Sequence, residues 1–237
     1  MTTLGFIGTG GMGQGMAANL IKAGYSVVVN DLNREQAKGL EEQGAQFVDT
    51  PKGVAESCDI VLSMLPNNDA VTQVGLGAGG LAEATGGAKL WIEFSSIDKA
   101  TIVGASDELG KTGWTVVDVG TGGVEEVAAA GQLALSVSGE KNLFDEHQPI
   151  FEPMAKSILH VRLSGVWRIG HGVSQRVPGG RRRRTRAQRS SRRGNSASWP
   201  PLPRAARASG SERPGARDGE GCSDGSLMTT VQLYRIH

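Results

Sequence analysis

The sequence predicts an α/β chain built on a doubly wound, mainly parallel sheet. Three observations predict it. Short apolar runs alternate with amphipathic stretches from residue 4 to residue 161. Turns rich in Gly, Asn and Asp separate these segments, and one glycine cluster joins the first apolar run to the first helical pattern. The alternation stops near residue 161, where the composition changes abruptly.

Leu4 to Ile7 reads as a buried strand. It leads into Gly8-Thr9-Gly10-Gly11-Met12-Gly13, after which Met12, Met16, Leu20 and Ile21 fall on one helical face. A G-x-G-x-x-G at a strand-to-helix turn has a physical meaning. Gly8 allows the tight turn, Gly10 lets the backbone approach a pyrophosphate, and Gly13 lets the helix pack close to the sheet. Free N–H groups at the helix start, those of Gly11 and Met12 among them, together with the positive dipole end hold the phosphates. After the turn at Gly24, Tyr25 to Asn30 reads as a second strand, and Asp31 closes it 18 residues past Gly13. A carboxylate there accepts hydrogen bonds from the ribose hydroxyls and repels a 2′-phosphate, which favours NAD over NADP. Arg34 nearby softens that preference. The order strand, glycines, helix, strand, acid is that of a Rossmann-like domain; a plain glycine turn with a solvated aspartate explains only part of it.

Asn33 to Gly44 reads as a helix, with Asn33 as cap and Gly44 as stop. Gln46 to Val48 is a short strand, and Pro51 to Ser57 a helix with proline in its first turn. Asp59 to Leu65 is a buried strand ended by Pro66. Asn68 to Val74 is a helix before the glycine-rich turn Gly75 to Gly80. Lys89 to Phe94 is a strand, Lys99 to Thr112 a helix, and Trp114 to Val119 a strand. Glu125 and Glu126 fit the solvated first turn of a short helix. Leu133 to Val137 is a strand, Lys141 to Phe151 a helix, and Ile158 to Val161 the last strand.

The net charge of +1 hides two unlike parts. Residues 1–160 carry 9 Lys plus Arg against 20 Asp plus Glu, whereas residues 161–237 carry 16 against 4, and all 16 are arginine. Residues 181–193 contain eight arginines with no apolar period, and Pro200-Pro201-Leu202-Pro203 follows. Such a segment cannot bury enough apolar surface to offset the entropy of ordering. The expected organisation is therefore a folded domain over 1–161 and a largely disordered Arg/Pro/Ser/Gly-rich tail over 162–237, with about 165–226 disordered. Leu227 to Ile236 is mildly apolar but too short to form a core. Shifted GC-rich codons yield Arg, Pro, Ser, Gly and Ala without Lys, so a shifted reading frame from about residue 162 accounts for the change. The arginines suit unspecific polyanion binding with steep salt dependence. Trp167 and Trp199 are isolated and make no stacking platform, so no specific nucleic-acid partner is expected.

Cys58 and Cys222 are the only cysteines and form no disulfide framework, which suits a reducing compartment. No signal peptide fits before the first strand, and no apolar run has the length of a membrane span. The cytoplasm is the expected location. His147 and His160 stand alone, so no metal is assigned.

Several motifs then converge. Gly8 to Leu20 contains Met12-Gly13-Gln14-Gly15-Met16-Ala17-Ala18-Asn19-Leu20, a pattern most dinucleotide-binding turns lack. Met64-Leu65-Pro66-Asn67 and Glu93-Phe94-Ser95-Ser96-Ile97 are the second and third signatures. Over residues 1–160 the chain resembles the β-hydroxyacid dehydrogenase family, which includes 3-hydroxyisobutyrate dehydrogenase, tartronate semialdehyde reductase and sulfolactaldehyde reductase. The NAD-binding domain of 6-phosphogluconate dehydrogenase is a relative. The resemblance implies an NAD-dependent oxidoreductase acting on a small β-hydroxyacid or its semialdehyde. It implies that Leu65, Pro66 and Asn67 border the nicotinamide and that Ser96 contacts the cofactor. It also places the acid group of the substrate at Asp118-Val119-Gly120-Thr121-Gly122-Gly123, where the family has Pro-Val-Ser-Gly-Gly. Gly122 stands at the serine position. The amides of Gly122 and Gly123 form an anion-binding concavity, or Thr121 substitutes with a one-residue shift.

The second departure is larger. The family's proton-transfer lysine lies roughly ten residues past the strand ending near Val161, and this chain has no lysine after Lys156. His171 is near the expected position in a different context. The family's linking helix and its helical C-terminal domain, which makes the dimer, have no counterpart in residues 162–237. Impaired turnover is expected, with an NAD-binding remnant without catalysis and an Arg-tail polyanion binder as the alternatives.

Overall fold

The computed structural model describes residues 2–162 and 230–235. Its strands are β1 (Thr3–Ile7), β2 (Ser26–Asn30), β3 (Gln46–Phe47), β4 (Ile60–Ser63), β5 (Leu90–Glu93), β6 (Thr115–Gly122), β7 (Leu133–Ser138), β8 (Ala155–Arg162) and β9 (Thr230–Arg235). The helices are α1 (Gly11–Lys22), α2 (Lys38–Glu41), α3 (Pro51–Ser57), α4 (Asn68–Leu76), α5 (Lys99–Gly110), α6 (Glu125–Ala129) and α7 (Lys141–Phe151). One sheet forms in the order β3-β2-β1-β4-β5-β6-β7-β8-β9. β3 to β6 pair in parallel, β7 is antiparallel to β6, β8 is parallel to β7, and β9 is antiparallel to β8. This is the doubly wound α/β fold that the sequence predicts.

The period-2 alternation of each strand serves two faces. On one, Leu4, Phe6, Val29, Leu62 and Ile92 pack with Met16 and Leu20 of α1 and with Phe144, Ile150 and Phe151 of α7. On the other, Ile7, Val28, Val61 and Trp91 pack with Val54 of α3, Val71 of α4 and Ile102 and Leu109 of α5. Gly5 lies on the second face for a steric reason. A Cβ built on it would lie 2.4 Å from Val54 Cγ1 and 2.8 Å from Cys58 Sγ, so α3 sits flat on β1. Trp91 donates from Nε1 to Ser63 Oγ at 2.7 Å, which satisfies the one polar atom of a fully buried indole.

Three expectations change. The helix predicted over Asn33 to Gly44 is a 3₁₀ turn (Arg34–Ala37) followed by the single turn α2; only Ala37 and Leu40 are buried to anchor it. The strand predicted to end at Val119 continues to Gly122, because antiparallel pairing with β7 sets Gly120 opposite Ser136 and Gly122 opposite Ala134. The tail expected from residue 162 onward contributes two pieces to the sheet: Arg162 ends β8, and Thr230–Arg235 forms β9 against residues 157–162 of it, with Arg162 opposite Thr230 and Ser157 opposite Arg235. The rest of the expected disorder, the arginines of 181–193, Trp167, Trp199 and Cys222 included, lies outside the described residues.

Two outcomes follow from this packing. Deleting residues 228–237 bares the β8 edge; the melting temperature is expected to drop by roughly 4–8 °C for about 2 kcal/mol lost, with new association through that edge. Unchanged melting and an unchanged sedimentation profile would show that β9 adds nothing to the sheet. Cys58 is 5% exposed, and burial pushes its thiol up to about 12. In a Cys222→Ser background its alkylation should stay slow up to about pH 9 and become fast only on unfolding. Because the unfolded thiol ionises near its ordinary value of 9.0, Cys58's contribution to stability is complete below that pH. It is lost as pH rises from there toward the folded value. A Cys58→Ala variant should lose that part of the alkaline destabilisation, readable in denaturant midpoints across pH.

Candidate cofactor site

Every predicted site residue among the described ones lies where a parallel strand ends and hands over to a helix or loop. Gly8 follows β1, Asp31 follows β2, Leu65 follows β4, Ser96 follows β5, and Thr121 to Gly123 end β6. β1 lies between β2 and β4, so successive connections leave β1 in opposite directions. The crevice at that switch point is the general ligand site of open α/β sheets.

The glycine turn is set by contact with backbone. Gly8 has φ +89, and a Cβ there would lie 2.3 Å from the carbonyl oxygen of Met64. A Cβ on Gly13 would lie 1.9 Å from Gly8 O. The loop therefore folds onto both the start of α1 and the end of β4. Gly10 differs: its φ of −63 and ψ of −174 suit any residue, and nothing lies within 4 Å of a Cβ built on it. No side chain caps α1, and its first backbone bond runs from Gln14 N to Gly10 O. The amides of Gly11, Met12 and Gly13 thus precede the helical ladder.

Asp31 is half-buried and held in place by the chain itself. Thr9 N donates to Oδ2 at 2.7 Å, Asn33 N donates to Oδ1 at 2.8 Å, and Thr9 Oγ1 lies 3.4 Å from Oδ2. Thr9, fully buried, is the residue that joins the glycine turn to the acid, a role not legible in the motif. Arg34 is engaged elsewhere: it pairs with Glu41 at 3.2 Å and its guanidinium lies 4.7 Å from the Phe47 ring centroid.

The β4 and β5 ends are tied by a second hydroxyl that sequence reasoning passed over. Leu65 N donates to Ser95 Oγ at 2.6 Å, and Ser95 N donates to Glu93 Oε1 at 2.8 Å. Ser95 is buried, whereas Ser96 is exposed on the rim. Pro66 and Asn67 are exposed, and the Asn67 side chain accepts from Ala70 N at 2.9 Å as the cap of α4. Asn68 and Asp98 bridge α4 to α5: Asp98 N donates to Asn68 Oδ1 at 3.0 Å, and Asp98 also takes Thr101 N at 2.8 Å. Hydrogen bonds from the Thr101 backbone N–H and hydroxyl, with smaller help from the Asn68 side-chain amide, hold the Asp98 carboxyl below its ordinary value.

Of the predicted substrate residues, Thr121 donates its hydroxyl to Phe94 O at 3.2 Å and is only partly exposed. Gly122 and Gly123 are exposed, but Gly122 belongs to the β6 ladder, and only Gly123, with φ +150, makes the turn into α6. The loop is seated on the cofactor helix. A Cβ on Gly15 would lie 2.6 Å from Ala129 N, and Asn19 Nδ2 donates to Ala128 O at 2.8 Å, holding a carbonyl at the end of α6. Asn19 belongs to the signature beyond G-x-G-x-x-G, Gly15 stands at one of its variable positions, and this contact is what the two make. His171 lies outside the described residues. Among the described residues no three His, Cys, Asp or Glu side chains cluster to hold a metal, and no helix is long and apolar enough to cross a membrane.

Residues 3–162 match the family described as the NAD binding domain of 6-phosphogluconate dehydrogenase. The 3-hydroxyisobutyrate dehydrogenase of Pseudomonas aeruginosa is 36% identical over 169 residues, 71% of this chain and 57% of that protein. The 2-(hydroxymethyl)glutarate dehydrogenase of Eubacterium barkeri is 32% identical over 162 residues, 68% of this chain and 54% of that one. The chain thus spans about half the length of the curated relatives it matches. Among solved structures, the 3-hydroxyisobutyrate dehydrogenase of Mycobacterium tuberculosis with L-serine superposes with a TM-score of 0.64 at 29% identity, covering 69% of this chain and 55% of that one. From the strand order, the glycine turn and the match over residues 3–162, the chain belongs to the 6-phosphogluconate dehydrogenase NAD-binding domain family, and its relatives over that region include 3-hydroxyisobutyrate dehydrogenases.

Proposed function

We propose that this chain binds NAD at the β1–β4 crevice as an oxidoreductase of the 3-hydroxyisobutyrate dehydrogenase type, with turnover impaired by the loss of the proton-transfer lysine. The observation that carries the proposal is Gly10. Internal packing demands Gly8 and Gly13, but neither its own backbone angles nor any neighbour demands a glycine at Gly10. At an uncapped helix start, the remaining demand is the close approach of a ligand to the amides of Gly11, Met12 and Gly13, as a diphosphate needs.

Asp31 completes the grip. Each of its oxygens takes a backbone N–H, which fixes the carboxylate while leaving lone pairs for two ribose hydroxyls. Arg34 is committed to Glu41 and Phe47 rather than free to take a 2′-phosphate, which supports NAD over NADP. Leu65, Pro66 and Asn67 border the nicotinamide, and the Ser96 hydroxyl contacts it from the neighbouring strand end. Gly123, Gly122 and Thr121 receive the acid group of a short β-hydroxyacid or semialdehyde. When bound, the coenzyme accepts or donates hydride. The chain itself must move the hydroxyl proton, and a positioned acid–base group contributes roughly 10²–10⁴-fold to such a step. Residues past Lys156 offer no lysine for it, and His171 is the titratable group near the family's position. The expected location is the cytoplasm. The alternative, an NAD-binding remnant without catalysis, is favoured by the same missing lysine.

One preparation of the full chain separates these readings. Calorimetry should detect NAD binding, weaker NADP binding, and a loss of roughly tenfold in NAD affinity for Asp31→Asn, since a charge-assisted bond is worth about 1.5–3 kcal/mol. An assay with 3-hydroxyisobutyrate should show turnover at least ~10²-fold below that of a full-length relative. Heat from neither coenzyme overturns the binding claim; turnover matching the relative overturns the impairment.

A further inference from the structure

We propose that Glu125 sets the coenzyme affinity of this chain by holding a carboxylate against the tip of α1; the inference rests on the reading that this tip receives a diphosphate. A Cβ built on Gly11 would lie 2.0 Å from Glu125 Cδ and 2.1 and 2.3 Å from its two carboxylate oxygens. The carboxylate therefore lies against the Cα of the first residue of α1, in the place a side chain at that position would take. Glycine at 11 makes the room.

The physics of the contact is an anion at the positive end of a helix. Such a carboxylate is favoured near the unsatisfied amides of a first turn. α1 runs 12 residues without a side-chain cap, so Glu125 supplies charge where no capping oxygen does. Among the described residues no salt bridge includes Glu125. Lys22 borders the same groove between α1 and α6, but it is 11 residues along the helix from Gly11, about 16 Å at 1.5 Å per residue. That exceeds the Debye length of about 8 Å at physiological ionic strength. Glu125 is exposed, so its charge is screened but not neutralised.

A diphosphate on the Gly11–Gly13 amides then shares one helix tip with this carboxylate. Two like charges at one helix tip repel, and at this exposed position the repulsion is expected to weaken binding roughly 3- to 10-fold at low salt. The geometry thus assigns Glu125 as a brake on coenzyme binding, at a position two residues beyond the Gly123 turn.

The test uses the full chain, Glu125→Gln, and Glu126→Gln as the control for net charge. NAD affinity is measured by calorimetry from about 20 mM to about 500 mM NaCl, a range over which the Debye length falls severalfold. Glu125→Gln should bind NAD roughly 3- to 10-fold tighter at low salt, and the gain should shrink as salt rises. Glu126→Gln should show less than half of that gain. Adenosine, which has no phosphate, should bind equally to the full chain and Glu125→Gln. Equal NAD affinity in Glu125→Gln and the unaltered chain, or weaker binding in Glu125→Gln, overturns the proposal and leaves the dinucleotide reading intact. Absence of NAD binding in all three chains removes that reading and the proposal with it.

Discussion

Contact between backbones with no side chain between them is the constraint on which this structure depends. α1 and the glycine turn before it approach the end of β1, the end of β4 and α6 at distances only glycine permits. Gly13 sits on Gly8 O, Gly8 on Met64 O, and Gly15 on the amide of Ala129. A Cβ at any of the three would meet backbone, which cannot rotate away as a side-chain tip can. These contacts fix the helix tip relative to two strand ends and to the loop after β6. The same geometry that packs the core therefore places unsatisfied amides at the crevice, and folding and ligand reach are one constraint rather than two.

Polar ties then hold what the glycines bring together. Thr9 joins the glycine turn to Asp31, Ser95 joins the β4 and β5 ends, and Asn19 joins α1 to the end of α6. Ser95 and Asn19 each use a short side chain to satisfy a backbone group, and at Thr9 the backbone N–H is taken by the Asp31 carboxylate. None of the three was among the predicted binding residues. Such ties act at one remove: they stiffen the loops that carry half-buried Asp31 and exposed Ser96 and Gly123.

How far the sequence could be read depended on how local each signal was. Pro51–Ser57 and Lys141–Phe151 match their predicted bounds, and the Thr50 cap and Pro51 act within one turn. The glycine turn and Asp31 were legible because their spacing encodes a strand–helix–strand unit. What failed to show was nonlocal. β6 extends three residues past Val119 because Ala134, Leu135 and Ser136 pair with it. β9 pairs with a strand some seventy residues earlier in the chain, from a mildly apolar segment too short to signal a core by itself. The Gly11–Glu125 contact joins residues more than a hundred positions apart. Glu125-Glu126, read alone, gives only a solvated helix start.

The extension of β6 bears on what the loop after it can do. A free glycine loop could reshape itself around an acid group, but Gly122 is paired with Ala134 and Thr121 with Leu135. The Thr121 hydroxyl is spent on Phe94 O. Only the turn at Gly123 is left to adjust, and it is bounded by a strand on one side and by α6, clamped through Gly15 and Asn19, on the other. A rigid anion site loses less conformational entropy on binding than a mobile one, and it also tolerates fewer substrate shapes. In the proposed reading, the acid group of a substrate would thus meet a turn whose position the β6–β7 pair and α6 fix.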